Sequence, residues 1–153
     1  MDVHDEFIPD ADFASFIDRM PEVCVEVVLR VEKTVLLARR TNEPAKGEWF
    51  WPGSRLYKGE GLEVAAKRVA REELGIEVDA VSRLGVNSHF WDRSPLPGSP
   101  SRHTVNVVFV AEPRTGSPRI ELNDEHDDYR FVSEPRPDLH EYVRRYFEEY
   151  DIP

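Results

Sequence analysis

A chain of 153 residues, 40% hydrophobic and 33% charged, has the composition of one globular domain with its own core, not of a disordered or fibrous chain. Its 30 acidic residues against 20 basic ones give a net charge of -10, which argues against nucleic acid and anionic membrane as partners. The same charge repels a phosphorylated substrate unless a bound cation intervenes.

The single cysteine, Cys24, leaves no internal disulfide and no cysteine-rich zinc site; between Val23 and Val25 it reads as a buried strand thiol. No apolar run is long enough to span a bilayer, and MDVHDEF lacks the basic start of a signal peptide, so the cytoplasm is the expected compartment.

In chain order, residues 1–9 are acidic and expected to fray. Asp10 or Asp12 would cap a short helix whose apolar positions Phe13, Phe16, Ile17 and Met20 follow helical spacing, closed by Pro21. Val23 to Val31 and Thr34 to Arg39 read as strands joined by a tight turn at Glu32-Lys33, together a hairpin. Turn chemistry at Asn42, Pro44 and Gly47 marks a loop, after which Trp49-Phe50-Trp51 leads into a glycine turn at Gly53. Leu62, Ala65, Ala66, Val69 and Leu74 then form one helical stripe, and Gly75 stops that helix. Val78 to Trp91 is one long or bent strand, and Asp92 to Arg102 is a flexible loop near the expected site. His103 to Ala111 reads as a central strand. Ile120 to Leu122 and Tyr129 to Val132 are shorter extended pieces, and a last helix runs from about Pro137 to Tyr150. With no internal repeat and no linker, residues 1–153 form one domain. Strands around one internal helix and one terminal helix imply an α+β layered fold, helices flanking a mixed sheet.

Two stretches carry chemistry. Glu60, Arg68 and the Glu72-Glu73 pair can converge, because residues three and four apart on a helix share a face. Their hard oxygen atoms suit magnesium or manganese, which would also hold a substrate's phosphates; the plainer reading is a solvated acidic helix face. In NDEHDDYR, His126 stands among Asp124, Glu125, Asp127 and Asp128, whose charges would raise its pKa. It is either a general base or a solvent-exposed histidine in an acidic loop. Glu26, between Val25 and Val27, is costly to bury unless paired, or else lies on an edge strand. Trp49, Trp51 and Trp91 serve core packing or stack on a substrate ring.

From Ser54 to Ile76 the chain resembles the Nudix hydrolases, whose box reads G-x5-E-x7-R-E-U-x-E-E-x-G-U with U a bulky aliphatic. Glu60, Arg68, Glu72, Glu73, Gly75 and Ile76 fall on it; Ser54 replaces its first glycine, Val69 the acid after the arginine, and Ala70 a bulky residue. The pieces ADFASFIDRMP, LLARRTNEPAKGEWFWPGSR, HFW and EHDDYRF are similar to the GDP-mannose mannosyl hydrolase branch, which shares the missing acid. That resemblance implies an α/β/α sandwich, a homodimer and a nucleotide-sugar substrate. The implied reaction is magnesium-dependent release of GDP and free sugar through attack of water on the anomeric carbon.

It further implies His126 as the base, and a metal held by the Gly53 carbonyl, Glu73 and Glu125, with Glu72 beside them. Glu125 stands where that branch commonly has glutamine. Arg40 and Arg55 would face the diphosphate, while Glu26 and His89 would orient the sugar or assist departure. Ser54 is expected to restrict a positive φ at the turn. The alternatives are a Nudix pyrophosphohydrolase attacking phosphorus, the same chemistry on another hexose, and a silent nucleotide-sugar sensor.

Overall fold

The computed structural model describes residues 1–94, 96 and 101–153. Its sheet is laid out around β1 (Glu22–Val31), a run of β-branched residues paired on both edges. One edge of β1 pairs in parallel with β6 (Arg102–Pro113), from Glu22↔Thr104 to Leu29↔Ala111. The other edge is shared. Cys24 to Glu26 pair with β4 (Gly53–Arg55), and Arg30 and Val31 with β2 (Thr34–Arg40). Outside these lie β3 (Trp49–Phe50) and β7 (His126–Val132) on β2, and β5 (Val78–Trp91) on β6, all antiparallel. The sheet is therefore mixed, as expected.

Strand alternation sorts side chains onto its two faces. Val25, Val27, Leu29, Val107, Phe109 and Ala111 pack with α2 (Leu62–Leu74), whose small Ala65, Ala66 and Ala70 let the helix sit close. Gly75, with φ 67°, ends α2 in the left-handed conformation that glycine adopts without strain. On the opposite face Val28, Val108 and Val110 pack with Val143 and Tyr146 of α3 (Glu141–Glu149). Helix, sheet and helix make the α/β/α sandwich.

Several boundaries differ from the sequence reading. The expected glycine turn is β4: Gly53 and Ser54 take extended backbone against β1 and neither has positive φ, so the expected constraint at Ser54 does not arise. β7 starts at His126, three residues before the expected Tyr129, because Thr41 anchors the preceding loop. Its N–H donates to the Glu125 carbonyl at 3.0 Å and its hydroxyl to the Asp124 carbonyl at 2.7 Å. Ile120 to Leu122 form no strand; Glu121 N–H instead bonds the Leu74 carbonyl at 2.9 Å. α3 begins at Glu141, after the expected Pro137, since His140 Nδ1 caps it by accepting from Tyr142 N–H at 3.1 Å.

The expected N-terminal helix is α1 (Asp10–Arg19), preceded by Pro9 with no side-chain cap; Asp10 and Asp12 lie in its first turn, where the helix dipole favours them. Of its apolar stripe only Ile17 is buried. Residues 1–9, expected to fray, run beside the loop before α2, where His4 N–H donates to the Lys58 carbonyl at 2.9 Å. Pro95, Pro97, Gly98 and Pro100 of the expected loop lie outside the described residues.

Candidate active site

Alternate residues of four adjacent strands form the floor of a cavity of about 410 Å³ on the α3 side of the sheet. β1 contributes Glu22, Cys24 and Glu26; β6 contributes Arg102, Thr104 and Asn106; β5 contributes His89 and Trp91; β4 contributes Gly53 and Arg55. Arg40, at the end of β2, and Glu125, just before β7, close the rim. Of the residues singled out in the sequence, the structure thus brings Glu26, Arg40, Gly53, Arg55, His89 and Glu125 to one cavity.

Glu26 lies on an interior strand, not an edge, and its burial is offset by hydrogen bonds. Burial pushes its carboxyl up to about 7 against the hydrogen bonds from Tyr146 and Asn106 and the charge of Arg40. Tyr146 Oη donates to Glu26 Oε1 at 2.5 Å and lies 3.3 Å from His89 Nε2. The His89 ring stacks on Tyr142 with centroids 4.2 Å apart. Burial first, then the charges of Arg145 and His140, lower its pKa to about 4, so the ring is neutral at physiological pH. Sequence reading passed over Tyr146 and Asn106. The available signals were an aromatic stripe at helical spacing in the last helix, and an asparagine inside an apolar central strand.

Glu73 and His126 meet at the junction of α2 and β7, with Nδ1 to Oε1 at 3.8 Å. Neither lines the cavity; both are buried, and among the described residues both oxygens of Glu73 and both nitrogens of His126 are without hydrogen-bond partners. The expected acidic elevation of His126 is reversed. Burial and the Arg40 charge lower its pKa to about 4, outweighing Asp127, which is exposed and paired with Arg39 at 2.7 Å. Nor is it the exposed loop histidine of the plainer reading, being 4% exposed.

Glu73 is held well above the ordinary carboxylate range by burial first and then by the neighbouring Glu125 carboxylate. A buried carboxylate crowded by an exposed one is what a divalent cation relieves. Among the described residues no three His, Cys, Asp or Glu side chains converge as a complete cage. The hard oxygens of Glu73 and Glu125 nonetheless suit magnesium, which keeps positions for water and substrate phosphates.

Glu72 does not join them. Its carboxylate is half exposed and accepts from Arg68 Nη1 at 3.0 Å. Arg68 also grips Glu60 bidentately, at 2.6 and 2.9 Å, donates to the Arg55 carbonyl and Ser54 Oγ at 3.0 and 3.3 Å, and stacks over Tyr57. The box arginine therefore fastens the loop before α2 to the helix. Ser54 contributes an acceptor there that a glycine would lack.

Arg40 is half-buried, its Nε donating to the Pro44 carbonyl at 2.7 Å; Arg55 lies over Tyr57 at 4.6 Å. Cys24 also reaches the wall, but burial and then Glu22 push its thiol well up, leaving it protonated and unreactive as expected. Trp51 is buried and stacked on Tyr146, while Trp91 is half-buried on the wall. Trp49 stays away from the cavity, under Arg130.

A helix carrying Arg68 and Glu73, with Glu60 in the loop before it, packed against a mixed sheet that floors a polar cavity on its other face, defines a Nudix hydrolase. Residues 20–150 match the NUDIX domain family, and the chain belongs to it. Over 144 residues, 94% of this chain and 91% of the relative, it is 40% identical to the low-salt glycan biosynthesis protein Agl8 of Haloferax volcanii. Over 92 residues it is 34% identical to the ADP-ribose pyrophosphatase of Methanocaldococcus jannaschii, which covers 60% of this chain and about half, 51%, of that relative. A MutT NUDIX hydrolase from Burkholderia pseudomallei superposes with TM-score 0.69 at 28% identity, covering 85% of this chain and 98% of the other. The MutT protein of Methanosarcina mazei shares the fold, with TM-score 0.67 at 24% identity and coverage of 86% and 94%. Nudix hydrolases generally use divalent metals such as magnesium and act on nucleotide-derived substrates. No helix among the described residues is long and apolar enough to cross a membrane.

Proposed function

We propose that the protein hydrolyses GDP-mannose, or a related GDP-hexose, to GDP and free sugar by attack of water on the anomeric carbon. The observation that carries this reading is the contact between His126 and Glu73. A neutral imidazole, without a hydrogen-bond partner among the described residues, stands beside the box carboxylate, while the box position that would hold the next acid is Val69, fully buried against the sheet. The helix has therefore given up a carboxylate suited to activating water at phosphorus, and a histidine able to accept a proton lies next to the one it keeps.

Gly53 through its carbonyl, Glu73 and Glu125 would hold the divalent cation, which when bound neutralises charge on the departing diphosphate. Arg40 and Arg55 bind the diphosphate oxygens and stabilise the charge that builds as the glycosidic bond breaks. Glu26, half-protonated near neutrality, and His89 hold sugar hydroxyls; Tyr146 fixes both. His126 removes a proton from the incoming water on the opposite face of the sugar, so the product is inverted. Agl8 is named for glycan biosynthesis, which agrees with a sugar nucleotide as substrate.

Incubation with GDP-mannose and magnesium tests the reading. GDP and mannose as products support it; binding without turnover would make the protein a sensor.

The second reading is a pyrophosphohydrolase cutting at phosphorus, favoured by the ADP-ribose pyrophosphatase relative and by retention of Glu72. It would yield GMP and mannose 1-phosphate instead. We also read the protein as a cytoplasmic homodimer, its exposed Phe16 on α1 and Met20 just after it forming part of the contact; a monomeric mass by light scattering across working concentrations would remove that.

A further inference from the structure

Glu22 and Arg102 face each other across β1 and β6 at the far end of the cavity floor from the metal-binding residues. Arg102 Nη2 donates to Glu22 Oε1 at 2.6 Å, with the side chains only 14% and 11% exposed. Cys24 Sγ donates to the same oxygen at 3.4 Å. That arrangement leaves Glu22 Oε2 and Arg102 Nε shielded from water and without partners among the described residues. Buried polar atoms are rarely left unsatisfied, and a pair that only tied β1 to β6 would not need a free acceptor and a free donor at a cavity wall.

Their position suits one part of a nucleotide. Glu22 stands four residues from Glu26, about 13 Å at the strand rise of roughly 3.3 Å per residue. Arg55, in register with Cys24, lies between them. A diphosphate seated at Arg55 with its sugar toward Glu26 sends its base toward Glu22 and Arg102, where half-buried Phe13 of α1 supplies an apolar wall.

We propose, on the basis of the nucleotide-sugar reading above, that the Glu22–Arg102 pair reads the base and selects guanine. Guanine presents in order a carbonyl, an N–H and an amino group: Arg102 Nε donates to the carbonyl, and Glu22 Oε2 accepts from the two neighbouring donors. Adenine reverses the first two positions, setting an amino group against the guanidinium and a ring lone pair against the carboxylate. Uracil matches the first two and then places a carbonyl against the carboxylate. Charged partners make such contacts strong, and a site built to bond a polar edge discriminates sharply against an edge that leaves it unpaired.

Calorimetric titration of the full chain in magnesium buffer with GDP, IDP, ADP and UDP tests this. GDP is expected to bind at least about tenfold more tightly than ADP or UDP, with IDP, which lacks the amino group, between them. Glu22→Gln and Arg102→Met are expected to weaken GDP about tenfold or more while leaving ADP within about twofold, so the preference collapses and retained ADP binding shows that the variant folds. Equal affinity of the wild type for GDP and ADP overturns the assignment, whether or not a variant folds. An unchanged GDP/ADP ratio in folded Glu22→Gln overturns it equally. Base preference is read from binding alone; failure to hydrolyse GDP-mannose would remove the functional reading and leave this result standing.

Discussion

Tyr146 Oη donates to Glu26 Oε1 at 2.5 Å, joining the last helix to the first strand across 120 positions of sequence. The bond answers how a carboxyl 4% exposed is tolerated inside an apolar strand. Tyr146→Phe keeps the ring packed on Trp51 and removes only the donor. It should cost about 1–3 kcal/mol, the usual penalty for a buried polar group losing its partner. Urea denaturation checks this; an unchanged midpoint would mean that water replaces the hydroxyl.

The same network makes a pH prediction for the metal-free protein. Glu26 is raised from 4.5 to about 7, so its contribution to stability is complete below pH 4.5 and is lost as pH rises through 7. His89 is lowered from 6.5 to about 4, so its contribution is complete above pH 6.5 and is lost as pH falls through 4. Between pH 4.5 and 6.5 the two slopes oppose. Removing one by His89→Gln should leave stability falling with rising pH relative to wild type, and Glu26→Gln should give the opposite tilt. Parallel curves would show that neither shift is coupled to folding.

Arg68 is gripped by Glu60, whose side chain is 3% exposed, and by Glu72. Burial alone would raise Glu60, but the Arg68 bonds and the Tyr57 N–H outweigh it and hold the carboxyl below its ordinary range. Arg68→Ala strands that carboxylate and should cost about 3–5 kcal/mol, whereas Glu72→Ala, at a half-exposed pair, should cost about 1 kcal/mol or less. Equal losses measured by denaturation would contradict the division of roles between the two glutamates.

Much of this was legible in the residues, for physical reasons. The α2 stripe, the Gly75 stop and the central strands follow from periodicities of 3.6 and 2 that burial imposes locally. The Glu60, Arg68 and Glu73 spacing is likewise local, since one helix carries most of it. What escaped the reading was long-range. Nothing in NDEHDDYR says that Thr41 would draw the loop inward and bury His126, so its acidic neighbours suggested a raised pKa where burial lowers it. Tyr146 acquires its partner only once α3 lies across β1. Gly53, read as turn chemistry, became strand because Cys24 to Glu26 offered it an open edge.

If His126 is the base, His126→Gln should lower kcat by about 10²–10⁴ while leaving GDP affinity within a few fold. Chelation should abolish turnover, magnesium should restore it, and Glu73→Gln should blunt that restoration. Undiminished kcat in His126→Gln would move the chemistry to the box glutamates.

The most direct test of attack at carbon uses GDP-mannose hydrolysed in heavy-oxygen water, with the products read by mass spectrometry. Water that attacks the anomeric carbon leaves its oxygen in mannose and returns unlabelled GDP, which is the expected result. Label in GDP, or in either half of a GMP and mannose 1-phosphate pair, would place the attack on phosphorus and contradict it.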